Sequence, residues 1–241
     1  MKKGVLFLVV FTFTISCGQL FAQAKDGYFE RKVGSFTEVG FYENGEKDGS
    51  WIKQTSNGIL NKVDTYKVGI KNGVSLTFDR KGQISKQEFF KNGQLHGFIV
   101  EYHDNSKASS KANYVNGVID GKKTLFYENG RIMEESNYSN GKKDGISKWF
   151  SDKNKLVAEY NYKMGEFNGV NKTYHENGNV KKEEQFVDNK HEGAYKEYYP
   201  TGKVKIIGTY SNDKKSGIWT SYATNGSEDG RVEYVDGIIK E

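Results

Sequence analysis

Hydrophobic and polar residues alternate over short segments of this chain, and the segments recur at a fixed interval. An aromatic residue stands just before each glycine-rich turn, at Tyr42, Tyr66, Phe90, Tyr114, Tyr138, Tyr162, Phe186, Tyr210 and Tyr234. The interval is 24 residues each time, without an insertion. Such gapless repetition predicts a chain built from repeated structural units. Positions within a unit are numbered from 0 at this aromatic residue.

Two kinds of turn separate the segments. One is centred on Asn-Gly or a related pair, as in residues 128–130, and this pair supplies the positive φ angles of a tight hairpin turn. The other turn is longer, as in residues 91–97 (KNGQLHG), and is expected to end in a glycine at position 7. These structural turn glycines are Gly49, Gly73, Gly97, Gly121, Gly145, Gly169, Gly193 and Gly217. The segments between turns hold six or seven residues, a normal length for a β-strand.

Alternation within the segments predicts strands with two different faces. Positions 8, 10 and 12 are mostly apolar, as in Val74, Leu76 and Phe78, and the intervening positions are mostly polar. We therefore expect one apolar face with aromatic columns at positions 0 and 12, and one mostly polar face. The predicted fold is all-β, an elongated antiparallel β-meander of about eight 24-residue β-hairpin repeats with contacts mainly between neighbours.

The N-terminal segment differs from the repeats. Lys2 and Lys3 precede an uncharged, largely apolar run over residues 4–16, which is typical of a signal peptide and too short to span a bilayer comfortably. Residues 22–24 form an A-x-A cleavage site that would give a soluble product. Alternatively, residues 15–18 resemble a bacterial lipobox, and Cys17 would then carry a membrane anchor. We expect a signal peptide over 1–24, a repeat domain over 25–241, and a location in the periplasm, at the outer membrane or outside the cell.

The repeated motif resembles that of a known family. The pattern Tyr-x-Asn-Gly-x-x-x-Gly-x-Trp, followed by paired aromatic residues and Glu-Asn-Gly, is similar to the bacterial variant of the MORN repeat. Residues 42–45, 49–51, 126–130 and 138–141 carry this pattern, and the resemblance covers residues 42–241. It implies a MORN-like β-hairpin repeat fold. Relatives labelled as antitoxin components imply an antitoxin-like role, and MORN repeats elsewhere are linked to protein and lipid contacts.

Composition and charge narrow the classes of function. The chain has 28 Gly, 16 Tyr and 15 Phe but only 1 Pro, which favours many short strands joined by tight turns. Its single Cys precedes the repeats, so the repeat domain has no disulfide, thiol catalyst or thiolate metal site. The formal net charge of +5 is spread among mixed charges, and no nucleic-acid surface is expected.

The histidines do not form a metal-binding pattern, because equivalent ones lie several repeats apart. They are expected to be polar surface residues: His96, His103, His175 and His191. No catalytic residue, metal or small-molecule cofactor is predicted.

Six aromatic residues fall at odd positions, on the face expected to be polar: Trp51, Tyr127, Trp149, Tyr195, Tyr199 and Trp219. Exposed rings beside Lys and Asn would make recognition anchors for a protein or a carbohydrate. The alternative is that they cover the second face of a thin sheet or are hidden by its twist. The sequence predicts an exported, non-enzymatic repeat scaffold that binds a protein or another envelope component. An antitoxin-like neutraliser of a toxin is the alternative function, and an enzyme acting on envelope glycans is a third.

Overall fold

The computed structural model describes residues 26–240, and every regular element within that range is a strand. The strands β1 to β22 are, in order, Gly27–Val33, Phe36–Glu43, Glu46–Thr55, Leu60–Lys67, Ile70–Phe78, Ile84–Lys91, Gln94–Leu95, Gly97–Tyr102, Ala108–Val115, Val118–Phe126, Ile132–Ser139, Lys142–Lys143, Gly145–Phe150, Leu156–Lys163, Glu166–Phe167, Gly169–Tyr174, Val180–Val187, Lys190–Tyr198, Val204–Ser211, Lys214–Tyr222, Glu228–Val235 and Ile238–Ile239. The expected signal peptide, the cleavage site and Cys17 lie outside the described residues. Over the described range, no helix has the length and apolarity that spanning a bilayer requires.

The strands form one open sheet in which each strand pairs in antiparallel fashion with its neighbours along the chain. In three units the first strand is split in two, so that β6 pairs with β7 and β8, β11 with β12 and β13, and β14 with β15 and β16. Contacts between elements are concentrated between consecutive strands. The predicted all-β meander of hairpin repeats is confirmed.

The tight turn at positions 2 and 3 decides which positions share a face. Asn92 and Gly93 have φ angles of 50° and 78°, as a two-residue Asn-Gly turn requires, although the sequence predicts a longer turn here and the tight turn at residues 128–130. Within 128–130 only Gly130 has a positive φ, of 87°, and the surrounding loop is closed by the Tyr127 N–H, which donates to the Arg131 carbonyl at 2.9 Å. The two kinds of turn are therefore exchanged relative to the prediction.

Because only two residues form the turn at positions 2 and 3, Phe90 at position 0 lies directly opposite Leu95 at position 5. Residues that pair directly across two strands share a face, so position 0 shares a face with odd positions of the strand that follows. The prediction that positions 0 and 12 lie on one face is therefore wrong.

The positions that make up the two faces of the sheet therefore differ from those predicted by the alternation of residues. Face A carries positions 0, 5, 9, 11, 20 and 22, and face B carries positions 1, 4, 8, 10, 12, 18 and 21. Position 9, expected to be polar and exposed, holds some of the most buried side chains, and Trp51 and Trp219 are only 5% and 7% exposed. Position 8, expected to be part of the core, is open on face B, where Phe98 and Ile146 are 48% and 47% exposed.

The glycine at position 7 lies within or at the start of a strand, beyond the turn. The tight turn ends at position 3, and the strand resumes at position 4, so the longer turn predicted to end in these glycines is wrong. Pairing shifts around the glycine: Asp64 lies opposite Ser75, but Tyr66 lies opposite Lys71, so β5 carries two extra residues in a β-bulge. Each of the eight glycines has a positive φ, and this conformation allows the bulge to form.

Hydrogen bonds join neighbouring units along the two rows of turns that connect the strands. In the row of tight turns, the carboxylates of Asp48 and Asp120 accept hydrogen bonds from backbone N–H groups of the next tight turn. The donors are Val68 at 3.3 Å and Asn140 at 3.0 Å. In the row of longer turns, the Asn105 side-chain amide donates to the carbonyl of Glu128 in the next unit at 2.8 Å. Residues that read in sequence as ordinary turn formers therefore also hold successive units in register.

Face B carries a charge-assisted pair that couples stability to pH. The Tyr198 hydroxyl donates to Glu183 at 2.9 Å, and Lys172 lies 2.8 Å from the same carboxylate. The Lys172 ammonium lowers the pKa of Glu183 below 4.5. Burial acts in the opposite direction, and the hydrogen bond from Tyr198 lowers this pKa further. Burial and the bond to Glu183 raise the pKa of Tyr198 from 10.0 to about 12.

We expect Tyr198→Phe to lower stability in a pH-dependent way. A group with a raised pKa stabilises the fold fully below its unfolded pKa of 10.0, and this contribution is lost as pH rises through about 12. The difference between the wild type and the variant in the urea midpoint should therefore stay constant between pH 4.5 and pH 10, shrink above pH 10 as Tyr198 ionises, and shrink below pH 4.5 as Glu183 is protonated. Tyr222→Phe at the same position of the next unit is the matched control, and identical pH profiles for both variants would contradict the assignment.

Candidate binding site

Aromatic rings on face A contact one another through the side chain at position 5. Rings at position 0 of successive units are two strands, or about 9.6 Å, apart, which is too far for direct contact. Phe167 at position 5 fills one such gap, with its ring centroid 4.8 Å from that of Tyr162 and 5.3 Å from that of Phe186. His191 fills the next gap, 4.2 Å from Phe186 and 4.9 Å from Tyr210. The expected column at position 0 is thus completed by residues from the intervening strands.

These contacts form an aromatic track across the C-terminal units. Successive ring centroids lie between 4.2 and 6.2 Å apart. Its members are Trp149, Tyr160, Phe167, Phe186, His191, Tyr210, Trp219 and Tyr234. In several units between Tyr66 and Trp149, position 9 instead holds small or aliphatic residues, such as Ser75 and Ile99.

Trp219 is buried because it packs over a glycine on the adjacent strand. A Cβ atom at Gly208 would overlap the indole ring, so only glycine leaves room for it. The indole N–H of Trp219 donates to the Thr209 carbonyl at 3.1 Å. The same arrangement occurs near the other end of the sheet, where Trp51 packs over Gly40 and donates to the Phe41 carbonyl at 3.1 Å.

The packing of each tryptophan over a glycine has a recognisable pattern in the sequence. At position 22 of the preceding unit, eleven residues before each of these tryptophans, stands a glycine where other units have larger residues.

The aromatic track ends in a recess of about 240 Å³ on face A, the C-terminal recess. Its lining residues are Tyr195, Ile206, Tyr210, Lys215, Trp219, Thr220, Ser221, Gly230, Val232 and Tyr234. The Lys215 ammonium lies 4.3 Å from the ring centroid of Trp219 and 5.0 Å from that of Tyr234. Lys215 is the one charged residue in this lining, so the recess combines an apolar aromatic surface with a single cation.

An equivalent N-terminal recess of about 210 Å³ lies seven units earlier on face A. Lys47 lies 3.8 Å from the ring centroid of Trp51 and 5.1 Å from that of Tyr66, which reproduces the Lys–Trp–Tyr arrangement. Its remaining lining is strongly charged and includes Glu38, Lys53, Lys62 and Asp64. The two recesses therefore share a framework and differ in polarity.

The six aromatic residues expected to be exposed fall into three groups. Trp51 and Trp219 are buried, which corrects the expectation of exposure. Tyr195 lines the C-terminal recess, and Trp149 packs against Tyr160 under Lys143, whose ammonium is 4.5 Å from its ring.

Tyr127 and Tyr199 form the third group, because both stand at position 13 and tie their unit to the next one. Their hydroxyls donate to the carbonyls of Phe150 and Tyr222, each at 2.8 Å. These contacts agree with the alternative that such rings cover and join a thin sheet. Partner binding by any of the six residues stays a prediction.

Two histidines share the role of these tyrosines. The Nε2 atoms of His103 and His175 lie 2.9 Å from the carbonyl oxygens of Phe126 and Tyr198 in the following units. With His191 inside the aromatic track, the expectation that all four histidines are plain surface residues is wrong. Over residues 26–240, no group of three or more His, Cys, Asp or Glu side chains has the arrangement of a metal site.

Five stretches of the chain match the family described as the MORN repeat variant: residues 71–92, 119–140, 143–164, 167–188 and 192–212. Each match begins just before the bulge glycine and ends in the following tight turn, so it contains one complete hairpin. No curated protein sequence matches the chain. The protein is therefore built from β-hairpin units of which five match the MORN repeat variant family.

Proposed function

We propose that this protein is an exported, non-enzymatic repeat scaffold that binds a protein partner at the C-terminal recess. MORN repeats are generally associated with binding and scaffold roles. Export is supported by the basic and apolar segment over residues 1–16 and by the two alternative processing sites that follow it.

The observation that carries the proposal is the lining of the recess. Four aromatic rings, together with Ile206 and Val232, surround a space large enough for one or two side chains. Interfaces concentrate their binding energy where a partner fills and desolvates an aromatic recess of this kind. Lys215 adds a cation at the rim of the apolar surface, where it can meet a carboxylate. The partner therefore presents an apolar or aromatic side chain next to an acidic residue.

Lys215→Glu tests this assignment without removing a ring. The reversed charge would repel the acidic group of the partner, and we expect binding to weaken by about tenfold or more. The readout is the recovery of envelope proteins on the immobilised chain, quantified by mass spectrometry.

Lys47→Glu is the matched control, because it makes the same change in the N-terminal recess. The proposal predicts at least one protein that is lost with Lys215→Glu and retained with Lys47→Glu, at equal thermal stability of the two variants. Equal recovery of every captured protein by both variants would rule out the C-terminal recess as the binding site.

A further inference from the structure

The two ends of the sheet are complementary halves of one joint between units. At the first end, Gly27 lies opposite Tyr42 in the same register in which Gly49 lies opposite Tyr66, so β1 is the first strand of a unit from position 7 onward. At the other end, β21 is the second strand of a unit, and β22 reaches only position 5. Within residues 26–240, no further strand pairs with the outer side of β1 or continues β22 along β21.

Every joint inside the chain pairs position 21 of one unit with position 10 of the next. Several of these pairs are oppositely charged, as in Glu135 with Lys148 and Glu183 with Lys196. At the two ends of the sheet over residues 26–240, position 21 is Arg231, and the residue equivalent to position 10 is Glu30. Opposite charges thus face each other in three of the eight internal joints, and the two ends carry an opposite pair at the same positions, although Glu135 and Glu183 form their ion pairs with Lys122 and Lys172 of their own hairpins.

The aromatic residues at the two ends also match. Phe29 stands at the equivalent of position 9, the position of Trp51 and Trp219. It lies opposite Gly40 at position 22 of its hairpin, as Trp51 lies opposite Asp64 at position 22 of the next. Tyr234 lies at position 0, as Tyr210 does beside Trp219 with their ring centroids 5.1 Å apart. A strand with the register of β1 placed beyond β21 would therefore bring Phe29 against Tyr234 and extend the aromatic track.

We propose that the protein associates head to tail with a second copy of itself, β21 of one copy pairing with β1 of the next. Gly230, Arg231 and Val232 would then lie opposite Arg31, Glu30 and Phe29 of the second copy, in the register of the internal joints. Because the two surfaces differ and the register continues the sheet, each added copy leaves the same free ends. The assembly is therefore open-ended rather than a closed dimer.

Sedimentation velocity of the purified protein over a wide concentration range tests the joint. The weight-average mass should rise with concentration and pass beyond that of a dimer. Glu30→Arg and Arg231→Glu each place like charges opposite one another, and each should weaken association by about tenfold. Asp104→Arg, an exposed charge reversal in a turn, is the control and should associate like the wild type.

Mixing the two single variants distinguishes a specific charge pair across the joint from charged residues that only discourage pairing of the edge strands. In an equimolar mixture, every reversed charge can meet an opposite charge on the other variant, so association should return to the wild-type level. A wild type that stays monomeric at all concentrations would overturn the proposal, as would a mixture that associates no better than either variant alone. Gly230, Val232 and Tyr234 belong both to the recess and to the proposed joint, but the measurement uses no partner, so its failure and the failure of the binding test on Lys215 can be told apart.

Discussion

Truncation of Trp219 to alanine is expected to lower the free energy of unfolding by about 3–5 kcal/mol. The indole is 7% exposed, contacts Tyr195 and Tyr210 with centroid distances of 5.0 and 5.1 Å, and donates its N–H to a backbone carbonyl. Its removal leaves a cavity beside Gly208, which has no side chain to fill it. Urea denaturation followed by far-UV circular dichroism gives the change in free energy.

A double-mutant cycle with Gly208 separates the loss of this contact from a general effect on the sheet. Gly208→Ala alone should cost about 1–3 kcal/mol, because its methyl overlaps the indole. In the Trp219→Ala background the overlap is gone, and the same methyl should cost little or stabilise the fold. Additive losses would show that the ring and the glycine do not act as a pair. Gly40 and Trp51 form the matched pair in which the cycle should repeat.

Replacement of Gly169 with valine is the second change expected to have a large effect, at about 1–3 kcal/mol of unfolding free energy. Gly169 has a φ of 112°, a conformation that L-residues rarely adopt. A Cβ atom there would also lie 3.2 Å from that of Asn161 on the neighbouring strand. Thermal melting and urea denaturation measure the loss, and Gly145→Val, at a φ of 92°, should act in the same direction.

Gly217→Asn is the control, at a glycine where neither the backbone angle nor a neighbouring side chain opposes the substitution. Gly217 also stands at position 7, but its φ is 65°, which asparagine tolerates, and no heavy atom lies within 4 Å of a Cβ placed there. Its substitution should cost clearly less than Gly169→Val. Equal losses at the two sites would mean that neither the φ angle nor the contact with Asn161 accounts for the effect.

Repeats, strands and the presence of two turns in each unit could be predicted from the sequence because each depends on local residues. The 24-residue interval specifies identical neighbours, but Asn-Gly pairs occur in both kinds of turn, as at residues 92–93 and 129–130, so they do not show which turn has only two residues. The assignment of faces failed because alternation was continued through the turn, whereas a two-residue turn places position 0 opposite position 5. That single shift moved Trp51 and Trp219 from the expected open face into the most protected positions of face A.

The C-terminal recess could be predicted only in part. Tyr195 and Trp219 were singled out from the sequence as exceptions to the alternation, but Lys215 and Tyr234 were not. They look like ordinary members of their columns, and their convergence depends on the register of three strands. The role of Tyr127 and Tyr199 depends on the path of the turn that follows them, which brings each hydroxyl to a carbonyl in the next unit.

The hydrogen bonds that join one unit to the next recur with the same spacing along the sheet. A whole unit inserted or deleted between the joints that hold Trp51 and Trp219 would therefore leave those joints and the strand register unchanged, whereas a change of a few residues would not. Each such event would alter the separation between the charged N-terminal recess and the apolar C-terminal recess by about 9.6 Å. Duplication of 24 residues thus offers this chain a way to change its reach in fixed steps while both terminal surfaces stay intact.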